Sequence, residues 1–334
     1  MVLPRFRESN ESSWSQSRLA IRIIPLALLL VLFLFNQHLA NERMTVYDAF
    51  FPENHSKNCR MMPDSEAPVP VILMADGRTG SSITWMTISR MTGYANVAYE
   101  YTGQQLNKTK IFFDSIRPEV GSHFAVQQLC RLQHDASVVD KVKRGVGIVG
   151  FQWKPIAYGT NHEYGQGALE EIAEQGIRVI HLSRSPLDRL ISNRRHEANS
   201  GKIEAHCATG DDECIKQHAA SESGVILPTG NELKDSLRGG LGHDIFVGDL
   251  LATRGIQHIH VDYDRLYNSG NNANEWKRIF KFLGRDPQED LTMEEVRSNF
   301  DLAPTTAKRH KDIIGNFDEV WKTLEGTEYA YMVH

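Results

Sequence analysis

VPVILMADGRTGSSITWMTISRMTG, residues 69–93, runs from an apolar segment through a glycine-punctuated turn into a second patterned segment. Val71, Ile72, Leu73 and Met74 form a short β-leaning run, and Ile83, Met86 and Met91 recur with helix-like spacing after Ser81. A strand that ends in Gly77, Arg78, Thr79, Gly80, Ser81 and Ser82 and reopens as a helix turns several backbone N–H groups into one concavity. The unpaired N–H groups and the helix dipole both favour negative charge there, so the turn reads as an anion cradle. It is not the nucleotide loop of an ordinary ATPase or kinase, because no Lys follows its second glycine. Arg78 stands inside the loop instead, among the hydroxyls of Thr79, Ser81 and Ser82. That set suits a phosphate carrying a second anionic group.

A second strand-to-helix passage, IRVIHLSRSPLDRLISNRRH, spans residues 177–196. Pro186 stands near the first helical position, where its missing N–H costs nothing. Arg184 at the strand end and Ser192 on the helix can converge on one ligand group, Arg as a planar fork and Ser as a hydroxyl donor. The competing reading pairs Arg184 with Asp188 and leaves Ser192 in solvent.

Between and beyond these passages, apolar runs at 71–75, 97–101, 146–152, 177–183 and 256–261 alternate with helix-like stretches near 81–91, 165–175, 186–198, 243–254 and 273–283. The alternation predicts a P-loop-type three-layer α/β fold, with a central, mainly parallel sheet, helices on both faces and ligands at the carboxyl ends of the strands. The polar, turn-rich stretch 199–240 is expected to be a loop insertion covering the site.

The first forty residues differ in kind. Arg5, Arg7, Arg18 and Arg22 precede IIPLALLLVLFLF at 23–35, with no small-residue cleavage pattern near His38, Leu39 and Ala40. We therefore expect a cytosolic tail over 1–22, an uncleaved signal anchor over 19–40, a proline-bearing stem over 41–69, and a lumenal catalytic domain over 70–334. Asn54 and Asn107 open glycosylation triplets, and Cys207 and Cys214 are close enough in sequence to close a short disulfide loop in an oxidising lumen. His206 and His218 flank that loop, but their spacing matches no common zinc site and no metal is expected. A formal charge of −5 over 334 residues carries no strong polyanion signal, so no nucleic-acid partner is expected. Nothing in the sequence fixes the oligomeric state.

Two anion sites on two strand ends point to a nucleotide with phosphates at both ends of its ribose. Here the chain resembles the sulfotransferases that use 3′-phosphoadenosine 5′-phosphosulfate (PAPS), most closely their membrane-anchored Golgi-type carbohydrate and tyrosylprotein members. By that resemblance DGRTGSS, with Gly77, Arg78, Thr79, Gly80, Ser81 and Ser82, would hold the 5′-phosphosulfate. Arg184 and the Ser192 eight residues later would hold the 3′-phosphate. HIHVDYDRLYN at 258–268 is similar to the family's strand ending in Tyr-Glu-Asp-Leu, so Tyr263 would reach the nucleotide. Lys308 and Arg309, in TTAKRHKDIIGN at 305–316, would close over it. The chain departs from cytosolic members, which usually carry Lys and paired Thr in the first loop and a glycine-rich carboxyl-terminal signature.

Sulfuryl transfer needs a deprotonated acceptor oxygen, an in-line approach and cations where charge develops. Arg78 and Lys154, the latter in GIVGFQWKP at 147–155, are the expected cations, and no metal is needed. Glu100, in NVAYEYTGQ at 96–104, is the expected base if its strand borders the first loop, with His162 and His181 as rivals. The acceptor is expected to be a glycan or glycoprotein hydroxyl. A tyrosylprotein acceptor, a Golgi glycosyltransferase using Asp262-Tyr263-Asp264 as a metal motif, and a non-catalytic lumenal nucleotide-binding protein are the alternatives.

Overall fold

The computed structural model describes residues 59–62, 68–92, 94–100, 129–130, 133–134, 147–154, 163–199, 207–220, 224–267, 272–284, 291–300 and 309–333. The anchor segment, Asn54, Asn107, His162 and Lys308 lie outside them. Among the described residues, no helix is long and apolar enough to cross a membrane.

Five parallel strands form the sheet: β1 (Val69–Ala75), β2 (Tyr94–Glu100), β3 (Ile148–Trp153), β4 (Arg178–Ser183) and β5 (His258–Asp262), in the order β2-β3-β1-β4-β5. Every residue of β1 is buried, as a central strand covered on both faces requires. Helices α1 (Ser81–Thr92), α2 (Glu163–Glu174) and α3 (Pro186–Asn199) follow β1, β3 and β4. Then come α4 (Asp212–Ala220), α5 (Gly230–Thr253), α6 (Tyr263–Tyr267), α7 (Asn272–Phe282), α8 (Met293–Ser298), α9 (His310–Ile313), α10 (Phe317–Leu324) and a 3₁₀ turn at Ala330–Met332.

The two-residue period of β1 sorts its side chains between two cores. Val69, Val71, Leu73 and Ala75 pack with Trp85 and Ile88 of α1 and Trp276 and Ile279 of α7. Ile72 and Met74 pack with Leu169 of α2 and Val247 and Leu251 of α5. A third cluster joins Leu187 of α3 to Leu233 and Leu237 of α5 and to Val320 and Leu324 of α10. The expected three-layer α/β architecture is thus the observed one, with every strand pairing parallel.

The stretch 199–240 is not the loop insertion its composition predicted. It carries α4 and the first turns of α5, a helix of 24 residues that begins well before the expected position 243. Leu233 and Leu237, four apart on one face, are fully buried and anchor those turns. Gly239, Gly240 and Gly242 hid the helix from propensity, yet Gly240 has a packing reason: a Cβ there would press on Pro186 and the Arg189 guanidinium.

Two disulfides, Cys207–Cys214 and Cys59–Cys130, staple the fold. The first is the expected short loop, and its thiolates are therefore not ligands for a zinc ion beside His206 and His218. The second ties the end of the expected stem to the domain. Gln175 and Gln133 accept from the backbone N–H groups of Met61 and Met62, and the compact unit runs from Cys59 to His334.

Candidate active site

The loops leaving β1 and β4 turn toward opposite edges of the sheet, which makes the gap between their carboxyl ends the topological switch point of the fold. The loop after β1 is a tight turn in which Thr79, fully buried, donates from Oγ1 to the Asp76 carbonyl at 2.8 Å. The Gly80 carbonyl accepts from both the backbone N–H and the Oγ1 of Thr84. Gly80 has φ +80°, and a Cβ on it would overlap the Tyr263 ring, so the position demands glycine twice over. Arg78 also adopts a left-handed backbone, φ +67°, without the excuse of a missing Cβ. Such strain in a non-glycine residue costs about 1–2 kcal/mol and concentrates at ligand clamps. Ser81 and Ser82 open α1, whose first turn carries no acidic residue, so its positive end faces the loop unopposed by a carboxylate of its own.

Arg184 lies across the gap. Its Nη1 donates to the Arg78 carbonyl at 3.4 Å, its guanidinium stands 4.5 Å from the Tyr263 ring centre, and Asp188 Oδ1 is 3.8 Å from Nη2. The two sequence motifs therefore meet in one crevice, with Tyr263 beneath both. The alternative Asp188 pairing is present too, as a long contact alongside these. Asp188 also meets Nε2 of the buried His310 at 3.1 Å, which brings the segment beginning at Arg309 beside the second site. Arg309 itself is 65% exposed and pairs with Asp312 at 3.2 Å. Ser192 sits half-buried on α3. The Oγ of Ser185, buried directly after Arg184, has no hydrogen-bond partner among the described residues and is a donor the sequence reading passed over.

Lys154 follows β3, which pairs directly with β1. Its ammonium is held below the usual lysine value by burial and then by the charge of Arg78, so the two cations share one region. Burial likewise lowers Arg78 itself. His196, on the last turn of α3, is lowered first by burial and then by Arg78. The crevice is thus a zone of positive potential that an anionic ligand would relieve.

Glu100 is the correction. Its strand does not border the first loop, because β3 lies between β2 and β1. Glu100 is in register with Gln152 of β3, which in turn is level with Leu73 of β1, so its backbone is about 10 Å to the side of β1. The sheet order follows from pairing, which the local pattern of NVAYEYTGQ does not encode. His181, the rival base, lies on β4 with 3% exposure, and burial holds its imidazole down at about 4. Its other neighbours add smaller effects.

Behind the loop stands a buried ionic network that no motif announced. Arg189 of α3 bonds Asp76 at 2.7 Å, Asp244 of α5 at 3.0 Å and the Gly240 carbonyl at 3.0 Å. His243 Nε2 lies 3.3 Å from the other oxygen of Asp76. The network fixes the residue at which β1 becomes the loop. Burial pushes the Asp244 carboxyl up to about 6, against the pull of Arg189. The sequence signal was an acidic residue closing an apolar strand, Asp76, with an Arg buried one turn into the next motif's helix.

No protein-family model matches the chain, and comparison with curated proteins finds no match. Among solved structures, the chain is similar to a mouse sulfotransferase complexed with PAP, at 11% identity and a TM-score of 0.37, over 82% of this chain and 89% of that one. It is similar to a sulfotransferase from Alicyclobacillus acidocaldarius at 13% identity and a TM-score of 0.33, over 70% of this chain and 89% of that one. The sulfotransferase domain of the Synechococcus PCC 7002 olefin synthase matches at 16% identity and a TM-score of 0.31, over 70% of this chain and 80% of that one.

Proposed function

We propose that this chain transfers a sulfuryl group from PAPS to an acceptor hydroxyl on a carbohydrate, as a single-pass protein of the Golgi membrane with its domain in the lumen. The observation that carries the reading is the meeting of two anion-receptive strand ends, with Arg184 bridging to the carbonyl of Arg78 across the switch point. The backbone of residues 77–80, Ser81 and Ser82 would cradle the 5′-phosphosulfate, and Arg184, Ser185 and Ser192 would take the 3′-phosphate. Tyr263 lies between them and offers a ring face. Two disulfides support the oxidising compartment.

In the reaction the acceptor oxygen forms a bond to sulfur as the bond from sulfur to the bridging phosphate oxygen breaks, yielding a sulfate ester and the 3′,5′-bisphosphate. Negative charge grows on the bridging oxygen, where Arg78 and Lys154 would act electrostatically. Both lowered by burial, and Lys154 also by the charge of Arg78, these cations gain most when the anion arrives. The acceptor proton passes to a general base.

Titration of the purified chain with 3′-phosphoadenosine 5′-phosphate tests the binding, and incubation with labelled PAPS and a panel of glycans, tyrosyl peptides and small alcohols tests the transfer. Binding to the native state should raise the melting temperature by mass action. Arg184→Ala should weaken it by about tenfold or more, the worth of a charge-assisted hydrogen bond. An unshifted melting temperature at millimolar nucleotide rejects the proposal, and transfer to tyrosyl peptides alone would replace the carbohydrate acceptor.

A further inference from the structure

A cavity of about 590 Å³ opens on the α5 face of the sheet, at the carboxyl ends of β4 and β5, with Arg184 in its wall on the side of the loop after β1. The sheet floor there is polar for a plain sequence reason. The alternation of HIHVD puts Ile259 and Val261 on the α7 face, with Val261 in its core, and His258, His260 and Asp262 on the other. On β4, His181 and Ser183 join them. Four carboxylates line the cavity, Asp244 and Asp249 from α5, Asp262 from β5 and Asp264 from α6. Arg184 is the one cationic side chain in its wall, so with neutral imidazoles the cavity carries three net negative charges. Away from Arg184, that sign favours a cation.

An independent feature marks the cavity as built for a ligand. His181 is buried to 3% exposure, yet its Nδ1 has no hydrogen-bond partner among the described residues, and the side chain forms part of the cavity wall. An unmade bond at such a depth is costly unless something fills it. The other two imidazoles are oriented. His258 Nδ1 donates to the Ile256 carbonyl at 2.8 Å, which leaves its Nε2 as an acceptor, and His260 Nε2 meets the Ser183 hydroxyl at 2.7 Å. At the mouth, Tyr331 is 72% exposed and Ile245 63%, an uncovered aromatic and an uncovered aliphatic side chain at the rim of an acidic hollow. An aromatic face beside carboxylates is the arrangement that holds an ammonium group.

We propose that this cavity binds an organic polycation of polyamine size, with ammonium groups on Asp249 and Asp264, an N–H donated to His181, and Tyr331 stacked over the chain. The site adjoins the proposed nucleotide crevice and shares the wall Ser183–Ser185 with it, whereas Asp249 and Tyr331 belong to the cavity alone. The volume falls within the range of small-molecule sites and exceeds what a lone ion requires.

The test is calorimetric titration of the purified full chain with spermidine, in parallel with 3′-phosphoadenosine 5′-phosphate. Saturable spermidine binding that weakens with salt is expected. Asp249→Asn should lower spermidine affinity about tenfold, as loss of a charge-assisted contact does, and Tyr331→Ala severalfold, with nucleotide affinity unchanged in both. Both positions are exposed, so neither variant threatens the fold. Failure of wild-type chain to bind spermidine, wild-type spermidine affinity in both variants, or displacement of spermidine by sorbitol or by micromolar MnCl₂ would each overturn the proposal, whatever the nucleotide result.

Discussion

His181 and Asp244 border the same cavity and should pull stability in opposite directions between pH 4 and pH 7. Burial lowers His181 from 6.5 to about 4, so the folded state binds fewer protons there than the unfolded chain. Its contribution is fully present above the unfolded value and is lost as pH falls through 6.5 toward 4, about 3 kcal/mol over that window. Asp244 is raised from 3.8 to about 6, again chiefly by burial, so the folded state binds more protons. Its effect runs the other way: stability rises by about 2 kcal/mol as pH falls from 7 to 4. In the native chain the two nearly cancel. Asp244→Asn should uncover the His181 slope, a loss of about 3 kcal/mol on acidification, and His181→Gln should uncover the Asp244 slope, a gain of about 2 kcal/mol. Urea unfolding at the two pH values measures each change, and subtracting one variant from the other removes every group they share. The expected difference of about 5 kcal/mol corresponds to more than 10 °C in melting temperature for a domain of this size. Parallel pH dependences in the two variants would refute the burial argument for both groups.

Further outcomes follow from the same geometry. Arg78→Gly should be more stable than Arg78→Ala by about 1 kcal/mol, because only glycine relieves the φ of +67°, while both lose affinity for PAPS; thermal melts and donor titration separate the effects. Gly80→Ala should destabilise by more than 1 kcal/mol through backbone strain and collision with Tyr263, read by urea midpoint. Replacing both cysteines of Cys59–Cys130, 71 residues apart, should cost about 4 kcal/mol against about 2 kcal/mol for Cys207–Cys214, 7 apart, by the loop-entropy relation, as equilibrium unfolding of the two double serine variants would show. Glu100→Gln should leave nucleotide affinity and turnover near wild type, because β3 separates its strand from the first loop, and a fall in turnover of about two to four orders of magnitude would restore Glu100 as base.

What the sequence revealed was local. β1, its loop and α1 were legible because an apolar run, two glycines and a helical period sit side by side, and Arg184 was legible because Pro186 marks where its strand becomes a helix. What it concealed depends on partners distant in the chain. The order of the strands could not be read from any one of them, so Glu100 was expected beside a loop from which β3 separates it. The start of α5 was masked by three glycines, of which Gly240 shows its use only when Pro186 and Arg189 are set against it. Nothing local in the sequence singles out Arg189, because its bonds to Asp76 and Asp244 lie 113 and 55 residues away. That network makes the loop's position a property of three elements at once. Asp76 ends β1, Arg189 sits one turn beyond Arg184, and Asp244 lines the acidic cavity. A change in the charge of Asp244 therefore acts on the cavity and on the base of the anion loop together, through one guanidinium. Asp244→Asn should loosen nucleotide binding as well as alter the pH slope of stability, whereas Asp249→Asn, outside the network, should leave nucleotide affinity alone. Titrating both variants with 3′-phosphoadenosine 5′-phosphate tests this, and equal affinities in the two would show that the loop holds its shape without Arg189's second carboxylate.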